Sequence, residues 1–415
     1  MKRSNIDTWI CKTEQFTNLT RSALEKLQLD RLNELLSRIH TFGGFYQNLP
    51  EKLSSLEELQ DLPFTTPEML AAHSRNLLLT SQSQVSRVIS GATSGTTGPS
   101  KRIFYSEKDT ANTIGFFAAG ISEMVEPEEK VLIAFPFSGA FSLGDLIERA
   151  VLSLGAVPLR VGDRKTYRDL CTYIAKERPD AYIGFPVSLL SMARMYPLVL
   201  SSVGLPSSEF PIKRALISGD SCPKGVVDAL EQLLQSRTFP HYGSREMVMG
   251  GAITCPAHEG MHLRENHIIG EIIGPDLKPV PDGKRGELVI TTIGMEAMPL
   301  IRYRTGDRTR FLPDPCPCQS VTKRLDTVTR GNVSDASIEA LDSALFSLQT
   351  LVDYQAALEN NTLQITARTL DGETKPAIAA HAKQIFPDKE ILIHETLCCV
   401  EDTPLYPAKR YLITT

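Results

Sequence analysis

The sequence predicts an α/β protein in which a large N-terminal domain of sheets and helices is followed by a small α+β C-terminal domain. Its 415 residues are too many for one ordinary hydrophobic core. Between residues 131 and 221, short apolar runs alternate with stretches of helical period, which favours parallel strands joined by helices. Residues 323–415 carry a shorter mixture of helices and strands, so we divide the chain into domains at 1–322 and 323–415.

The elements follow from local patterns. Leucines at helical spacing predict an entry helix over residues 20–40, and Thr66 with Pro67 marks the start of another helix. In the alternating region we predict strands at 131–135, 156–159, 181–184 and 214–218, and helices at 144–154 and 188–195. In the last domain we predict helices at 338–348 and 375–385, and strands at 356–358, 363–367 and 391–394.

Composition excludes several classes of protein. With 42% hydrophobic residues, 22% charged residues and a net charge of −5, the chain is typical of a soluble protein. It shows no basic patch for a nucleic acid and no apolar run that could cross a membrane. The start of the chain lacks a signal-peptide core, so we expect a cytoplasmic protein. Its eight cysteines then indicate thiols or metal ligands rather than disulfides.

Residues 93–101 form a loop dense in hydroxyls, with two glycines and a terminal cation. Backbone N–H groups can turn inward at the glycines, and the hydroxyls and lysine add donors, which suits a polyphosphate. Strand-like runs at 85–90 and 102–105 flank the loop, so it joins two strands and is not a mononucleotide P-loop. An ordinary polar surface turn is the alternative. The ATP-binding candidates here are Ser94, Gly95, Thr96, Thr97, Gly98 and Lys101.

This loop resembles that of the acyl-adenylate-forming (AMP-binding) enzymes, and more narrowly that of the phenylacetate-CoA ligase branch, which includes the coenzyme F390 synthetases. In that superfamily a similar loop closes over the β- and γ-phosphates of ATP. Other motifs, described next, fall in the family's order, so the resemblance covers essentially the whole chain.

Loops at the carboxyl ends of the predicted parallel strands are the expected ligand sites. Ser138, Phe141 and Phe185 are candidates for binding the acyl substrate, although phenylalanines near strands are more often core residues. Gly219 and Asp220 stand where the family lines the adenine of ATP. Without the resemblance, that segment would be interpreted as a strand-to-helix turn.

Two further motifs point to the nucleotide. Tyr242, Gly243 and Glu246 are similar to the family's Tyr-Gly-x-Thr-Glu motif, with Arg245 in place of its threonine. The tyrosine would flank the base, and the glutamate would supply the oxygen ligand that Mg²⁺ prefers. Asp307, behind an Arg-Tyr-Arg-Thr-Gly run, would accept hydrogen bonds from both ribose hydroxyls; a surface-turn aspartate is the alternative.

Cys255, His262, Cys316 and Cys318 make a Cys₃His set that suits tetrahedral zinc. The alternative is a scatter of reduced thiols. His258 also lies near Cys255, but some ligases of the phenylacetate branch carry a similar Gly-Leu-His segment, which favours His262. A closed site of this kind makes the metal structural.

The resemblance also assigns roles near the C-terminus. Arg324 would contact the ribose, with Arg330 as the alternative, and a hinge at Lys323 would make the last domain mobile. Lys409 matches the family's terminal lysine and would be catalytic together with Glu246; a solvated surface lysine is the other interpretation.

We therefore expect an ATP- and Mg²⁺-dependent ligase with structural Zn²⁺ that converts a carboxylic acid, aryl or heteroaryl by family default, to an acyl-AMP. The acyl group would pass to a thiol, most often that of coenzyme A. Alternatives are transfer to an amine or a carrier protein, as in amide synthetases, and a degenerate nucleotide-binding protein. The sequence leaves the oligomeric state open, and a homodimer is one possibility.

Overall fold

The computed structural model describes residues 3–91, 101–162, 164–331, 333–400, 405, 410 and 412–414. The chain divides into two compact units. The first unit comprises Met1–Glu123, Gly139–Ala150 and His241–Val328, and the second comprises Met124–Ser138, Val151–Pro240 and Thr329–Thr415.

The described residues form the following elements. The helices are α1 (Asn5–Glu14), α2 (Arg21–Phe42), α3 (Pro67–His73), α4 (Glu107–Ile121), α5 (Leu143–Ser153), α6 (Tyr167–Glu177), α7 (Pro186–Ser202), α8 (Lys224–Leu234), α9 (Val333–Leu345) and α10 (Lys375–Ile385). The strands are β1 (Val85–Gly91), β2 (Lys101–Ser106), β3 (Lys130–Ile133), β4 (Val157–Arg160), β5 (Ala181–Gly184), β6 (Arg214–Ile217), β7 (Phe239–Tyr242), β8 (Ala252–Thr254), β9 (Met261–Leu263), β10 (Ile269–Ile273), β11 (Gly286–Thr291), β12 (Tyr303–Thr309), β13 (Arg324–Leu325), β14 (Thr329–Arg330), β15 (Leu351–Glu359), β16 (Thr362–Thr369), β17 (Glu390–Leu397) and β18 (Ile413–Thr414).

Antiparallel strands build the first unit. β1 pairs with β2, and Gly91 lies opposite Lys101, so residues 92–100 connect two paired strands as the sequence predicted. β10, β11 and β12 form one antiparallel sheet. β8, β9 and β13 pair in the same sense, with Arg324 opposite His262. Apolar residues of α2 complete a core with those of β10 to β12.

Parallel strands build the central part of the second unit. Their order is β4, β3, β5, β6 and the first residues of β7. Helix α6 lies between β4 and β5 in sequence, α7 between β5 and β6, and α8 between β6 and β7. The strand and helix alternation predicted over residues 131–221 is confirmed, which places the loops after β3, β5 and β6 at the carboxyl edge of these strands.

The C-terminal part of the second unit is an α+β segment. β15 and β16 form an antiparallel hairpin, with β17 parallel to β16 and β18 parallel to β15. The prediction was right for helix α10 at 375–385 and approximate for the hairpin, whose strands are longer than expected. β18 was not predicted.

Buried polar contacts join this segment to α6 and α7. Asp353 and Arg368 form a bidentate ion pair with nitrogen to oxygen distances of 2.6 and 2.5 Å. The hydroxyl of Tyr167 on α6 donates to Asp353 Oδ2 at 2.6 Å. On α7, the Arg194 guanidinium donates to the carbonyl of Phe346 at 2.7 Å. Residues 329–415 therefore group with 124–138 and 151–240; the boundary at residue 322 and a mobile last domain stay predictions.

Across the residues that the structure describes, every helix falls short of the length and apolar character needed to cross a bilayer.

Candidate active site

Three side chains meet in the interior of the first unit. The Lys101 ammonium donates to the Tyr303 hydroxyl at 3.0 Å, and that hydroxyl donates to Glu246 Oε1 at 3.1 Å. Lys101 Nζ and Glu246 Oε1 lie 3.5 Å apart. Burial raises the pKa of Tyr303 well above its usual range and Glu246 raises it further, so the phenol stays neutral. A cation and a carboxylate suited to phosphate and Mg²⁺ are thus adjacent.

Local geometry fixes the turn that carries Glu246. A Cβ at Gly243 would lie 2.0 Å from the carbonyl oxygen of Met249, so the chain can pass here only with glycine. The turn Arg245–Met247 follows, and the Arg245 carbonyl accepts a hydrogen bond of 2.6 Å from Tyr105 Oη. β2 therefore supplies Lys101 at one end and Tyr105 near the other, both directed at this turn.

Tyr242 and Asp307 also meet. The Tyr242 hydroxyl donates to Asp307 Oδ2 at 2.6 Å, and burial together with Asp307 raises the pKa of this tyrosine well above its usual range. The backbone N–H of Asp307 donates to Thr305 Oγ1 at 3.1 Å, and Gly306 takes a positive φ of 77°. The carboxylate predicted to bind ribose is therefore held by the tyrosine predicted to flank the base.

The loop after β6 lies on aromatic rings in the second unit. Gly219 has a φ of +84°, and a Cβ there would lie 2.7 Å from the Phe185 ring and 2.9 Å from the Phe135 ring. The two rings pack edge to face with centroids 5.1 Å apart. The predicted acyl-binding residue Phe185 and the predicted adenine-lining residue Gly219 are therefore in contact.

Asp220 has protein partners in the same unit. Its Oδ1 accepts from Arg330 Nη2 at 3.1 Å, and its Oδ2 accepts from the backbone N–H of Arg410 at 2.5 Å. Burial raises the pKa of Asp220, and Arg330 opposes that shift. The carboxylate thus ties the β6 loop to Arg330 and to the C-terminal tail.

Arg410 is itself buried in this unit. Its Nη2 lies 2.9 Å from Asp342 Oδ1, and its Nη1 donates to the carbonyl of Tyr354 at 2.6 Å. The guanidinium carbon lies 4.3 Å from the centre of the Tyr354 ring. The residue directly after Lys409 in the sequence is therefore fixed on several sides.

The remaining predicted residues are spread over both units. The Arg324 guanidinium donates to the carbonyls of Glu259 and Asp314 in the first unit, so its donors serve the loops that carry the cysteines. Phe141, in the same unit, has a positive φ of 59° and lies under the Arg149 guanidinium at 4.7 Å. Ser138 is exposed in the second unit. Ser94, Gly95, Thr96, Thr97, Gly98 and Lys409 lie outside the described residues.

A buried Cys/His cluster lies in the first unit. The ligand atoms of Cys255, His262, Cys316 and Cys318 all lie within 4.8 Å of one another. The sulfurs of Cys255 and Cys316 are 3.7 Å apart, and Cys318 Sγ is 3.4 Å from His262 Nε2. The other ring nitrogen, Nδ1, lies 2.9 Å from Thr322 Oγ1. The histidine in this cluster is thus the one favoured from the sequence.

Sequence reasoning gave no role to Tyr303 or Arg410. Tyr303 stands in the same motif as Asp307, four residues earlier on β12. This closeness in sequence could have placed the tyrosine near the nucleotide residues. For Arg410 the sequence holds no comparable signal.

Known proteins share sequence with much of this chain. Residues 92–297 match the family described as AMP-binding enzyme. The chain is 27% identical over 330 residues to the phenylacetate-coenzyme A ligase of Thermus thermophilus, covering 76% of this chain and 72% of that protein. It is 27% identical over 304 residues to the enzyme of the same name from Escherichia coli K12, covering 70% and 68%.

A solved structure shares the fold. The crystal structure of 2-hydroxyisobutyryl-CoA ligase in the postadenylation state, in complex with R3-HIB-AMP, superposes with a TM-score of 0.76 at 18% identity, covering 94% of this chain and 89% of that one. Fold and sequence together define an adenylate-forming enzyme, and residues 92–297 match the AMP-binding enzyme family. The chain is an AMP-forming acid–thiol ligase that is similar to the phenylacetate-coenzyme A ligases.

Proposed function

We propose that this enzyme uses ATP to convert an aromatic carboxylic acid to its acyl adenylate and then transfers the acyl group to the thiol of coenzyme A. The observation that carries the proposal is the contact of Lys101, Tyr303 and Glu246 near the end of the predicted phosphate loop. The names of the relatives, phenylacetate-coenzyme A ligases, support both the aromatic acid and the acceptor.

In the first step the substrate carboxylate attacks the α-phosphorus of ATP and pyrophosphate leaves. The protein needs no nucleophile of its own, so catalysis rests on positioning and charge neutralisation. Lys101 and the hydroxyls of residues 93–100 would hold the departing phosphates. Asp307 would hold the ribose, and Lys409 would contact the oxygens around the α-phosphate.

Two metals are part of the proposal. Glu246 would hold Mg²⁺, which neutralises phosphate charge when bound. Zn²⁺ fits the Cys/His cluster: tetrahedral zinc with Zn–S bonds of about 2.3 Å sets sulfurs about 3.8 Å apart and a sulfur about 3.6 Å from a ligating imidazole nitrogen. The distances of 3.7 and 3.4 Å agree, and a disulfide would need sulfurs about 2.05 Å apart. With Nδ1 bonded to Thr322, Nε2 of His262 can ligate. All four positions are filled by protein, so this zinc would be structural.

The acyl group would lie against the aromatic surface made by Phe135 and Phe185 under Gly219. Flat apolar rings favour an aryl or heteroaryl acid over a charged one. Ser138 and Phe141 stay predictions as further contacts. A cytoplasmic location and a homodimer also stay predictions.

The test is isotope exchange between pyrophosphate and ATP across a panel of aromatic and aliphatic acids. Mass spectrometry of the products then follows, with coenzyme A present or absent. Exchange that requires an aromatic acid, followed by a coenzyme A thioester, is the expected result. Exchange without a thioester would favour an amine or a carrier protein as acceptor. ATP binding without exchange for any acid would favour a degenerate nucleotide-binding protein.

A further inference from the structure

Tyr303 is the buried side chain that contacts both Lys101 and Glu246. Its hydroxyl lies 3.0 Å from the ammonium and 3.1 Å from the carboxylate, whereas these two charged groups are 3.5 Å apart. The phenol therefore makes two hydrogen bonds of ordinary length, and the direct ion pair is longer. The hydroxyl, more than the ion pair, sets the position of both charges.

The chemistry of the three groups fixes the direction of each bond. An ammonium can only donate, and an ionised carboxylate can only accept. A neutral phenol has one proton, so that proton points to Glu246 and an oxygen lone pair faces Lys101. One carboxylate oxygen of Glu246 is thereby fixed, which also fixes the direction in which the other oxygen faces.

The backbone holds the ring of Tyr303 in place. Tyr303 pairs with Ile290 of β11, and the residue is only 1% exposed. On the other side of the strand, the backbone N–H of Thr65 donates to the carbonyl of Arg302 at 3.0 Å, and the carbonyl of Thr65 accepts from the N–H of Arg304 at 2.9 Å. The residues before and after Tyr303 are thus anchored, so its hydroxyl is a fixed reference point.

We propose that Tyr303 is a positioning residue for Mg²⁺–ATP, holding the carboxylate that takes the cation at a set distance from the ammonium that takes the phosphates. The proposal rests on the proposed function and adds a residue to its site. Cation and polyphosphate bind as one charged unit, so the spacing of their protein partners matters more than the strength of either contact alone. Removing the hydroxyl should therefore weaken the use of Mg²⁺ while leaving the ribose contacts as they are.

Tyr303→Phe is the test, and Tyr46→Phe is the matched control. Tyr46 is also buried in the first unit, and its hydroxyl also makes two hydrogen bonds. One is with Thr65 Oγ1 at 2.7 Å, and the other is accepted from the N–H of Ile301 at 3.1 Å. It contacts neither charged group. The binding of ATP would be measured by calorimetry across a range of Mg²⁺ concentrations, next to pyrophosphate exchange.

We expect Tyr303→Phe to need about tenfold more Mg²⁺ for half-maximal ATP binding, the loss expected for one hydrogen bond to a charged group. Tyr46→Phe should lose comparable thermal stability with an unchanged Mg²⁺ requirement. Discrimination between ATP and 2′-deoxy-ATP should be unchanged in both. In a Glu246→Gln background, Tyr303→Phe should have no further effect, because it acts through that carboxylate.

An unchanged Mg²⁺ requirement in Tyr303→Phe, or an equal rise in Tyr46→Phe, overturns the proposal. Additive effects of Tyr303→Phe and Glu246→Gln overturn it as well. A parent protein that binds Mg²⁺–ATP but exchanges pyrophosphate with no acid refutes the proposed function, and the binding series still decides the role of Tyr303. A parent that does not bind Mg²⁺–ATP overturns both.

Discussion

Replacing Cys318 by serine should remove one of the four proposed zinc ligands and lower the stability of the first unit. Structural zinc contributes about 10–16 kcal/mol in small zinc domains, so an equal share for one ligand is about 3 kcal/mol. For a unit of this size, 1 kcal/mol moves Tm by about 2–4 °C, so Cys318→Ser should lower Tm by roughly 6–12 °C. Catalysis should be lost only to the extent that the protein unfolds, because no coordination position is open to a substrate.

Cys171→Ser is the matched control. Cys171 is also a buried thiol, 3.6 Å from the carbonyl of Met192, and burial raises its pKa to about 12. It lies in the second unit and is not one of the four residues of the cluster. The same change of sulfur to oxygen is therefore made without touching a ligand.

Two measurements test whether the Cys/His cluster holds a structural zinc. Elemental analysis should find about one zinc per chain in the parent and in Cys171→Ser, since the cluster offers one set of four ligands. A strong chelator should lower the Tm of both, but that of Cys318→Ser far less. A parent that contains no zinc and melts at the same temperature with and without chelator would show that these are only reduced thiols. A loss of turnover in zinc-depleted protein of unchanged Tm would show that the metal takes part in the reaction.

Three further predictions concern the nucleotide, the tail and pH. Asp307→Ala should lose two charge-assisted hydrogen bonds to ribose, about 1.5–3 kcal/mol each, and with them the preference for ATP over 2′-deoxy-ATP; a variant that keeps that preference contradicts the role. Lys409→Ala should slow pyrophosphate exchange by on the order of 100-fold at unchanged Tm, and unchanged exchange contradicts its assignment. Burial lowers the pKa of His241 to about 3, below the ordinary value of 6.5. The unfolded chain therefore takes up a proton that the folded chain excludes, and stability should fall by about 2 kcal/mol between pH 7 and pH 5. His241→Leu should flatten that slope in denaturant titrations, and an unchanged slope counts against the argument.

Local patterns were enough to predict much of the fold. β3, β5 and β6 are short apolar runs between helices of regular period, and burial of such strands on both faces leaves a continuous apolar signal. The strands on either side of residues 92–100 were likewise predicted from local patterns. The Cys/His cluster could be predicted because few other residue types bind zinc, so four of them in two short segments are informative.

Partner choice across long sequence distances could not be predicted. Asp220 was expected near adenine because of its position in a family motif, yet it bonds with Arg330 and the N–H of Arg410, residues far along the chain. Arg324 was preferred over Arg330 for the ribose, but its donors reach two backbone carbonyls beside the cysteines. A guanidinium can donate to a carboxylate, a phosphate or a carbonyl, so its sequence context does not reveal which acceptor it meets.

Hydrogen bonds within the second unit oppose the rotation predicted for the last domain. A rotation about Lys323 would separate the Tyr167 hydroxyl from Asp353 and the Arg194 guanidinium from the Phe346 carbonyl. The Asp353 and Arg368 pair would move intact, because both residues belong to the β15 and β16 hairpin. Each hydrogen bond to a charged group contributes about 1.5–3 kcal/mol, so the set opposes rotation by several kcal/mol. A ligand at 100 times its Kd supplies about 2.7 kcal/mol to the state that it binds. A rotation of this segment would therefore depend on a bound acyl adenylate or thiol, and would be rare in the free enzyme.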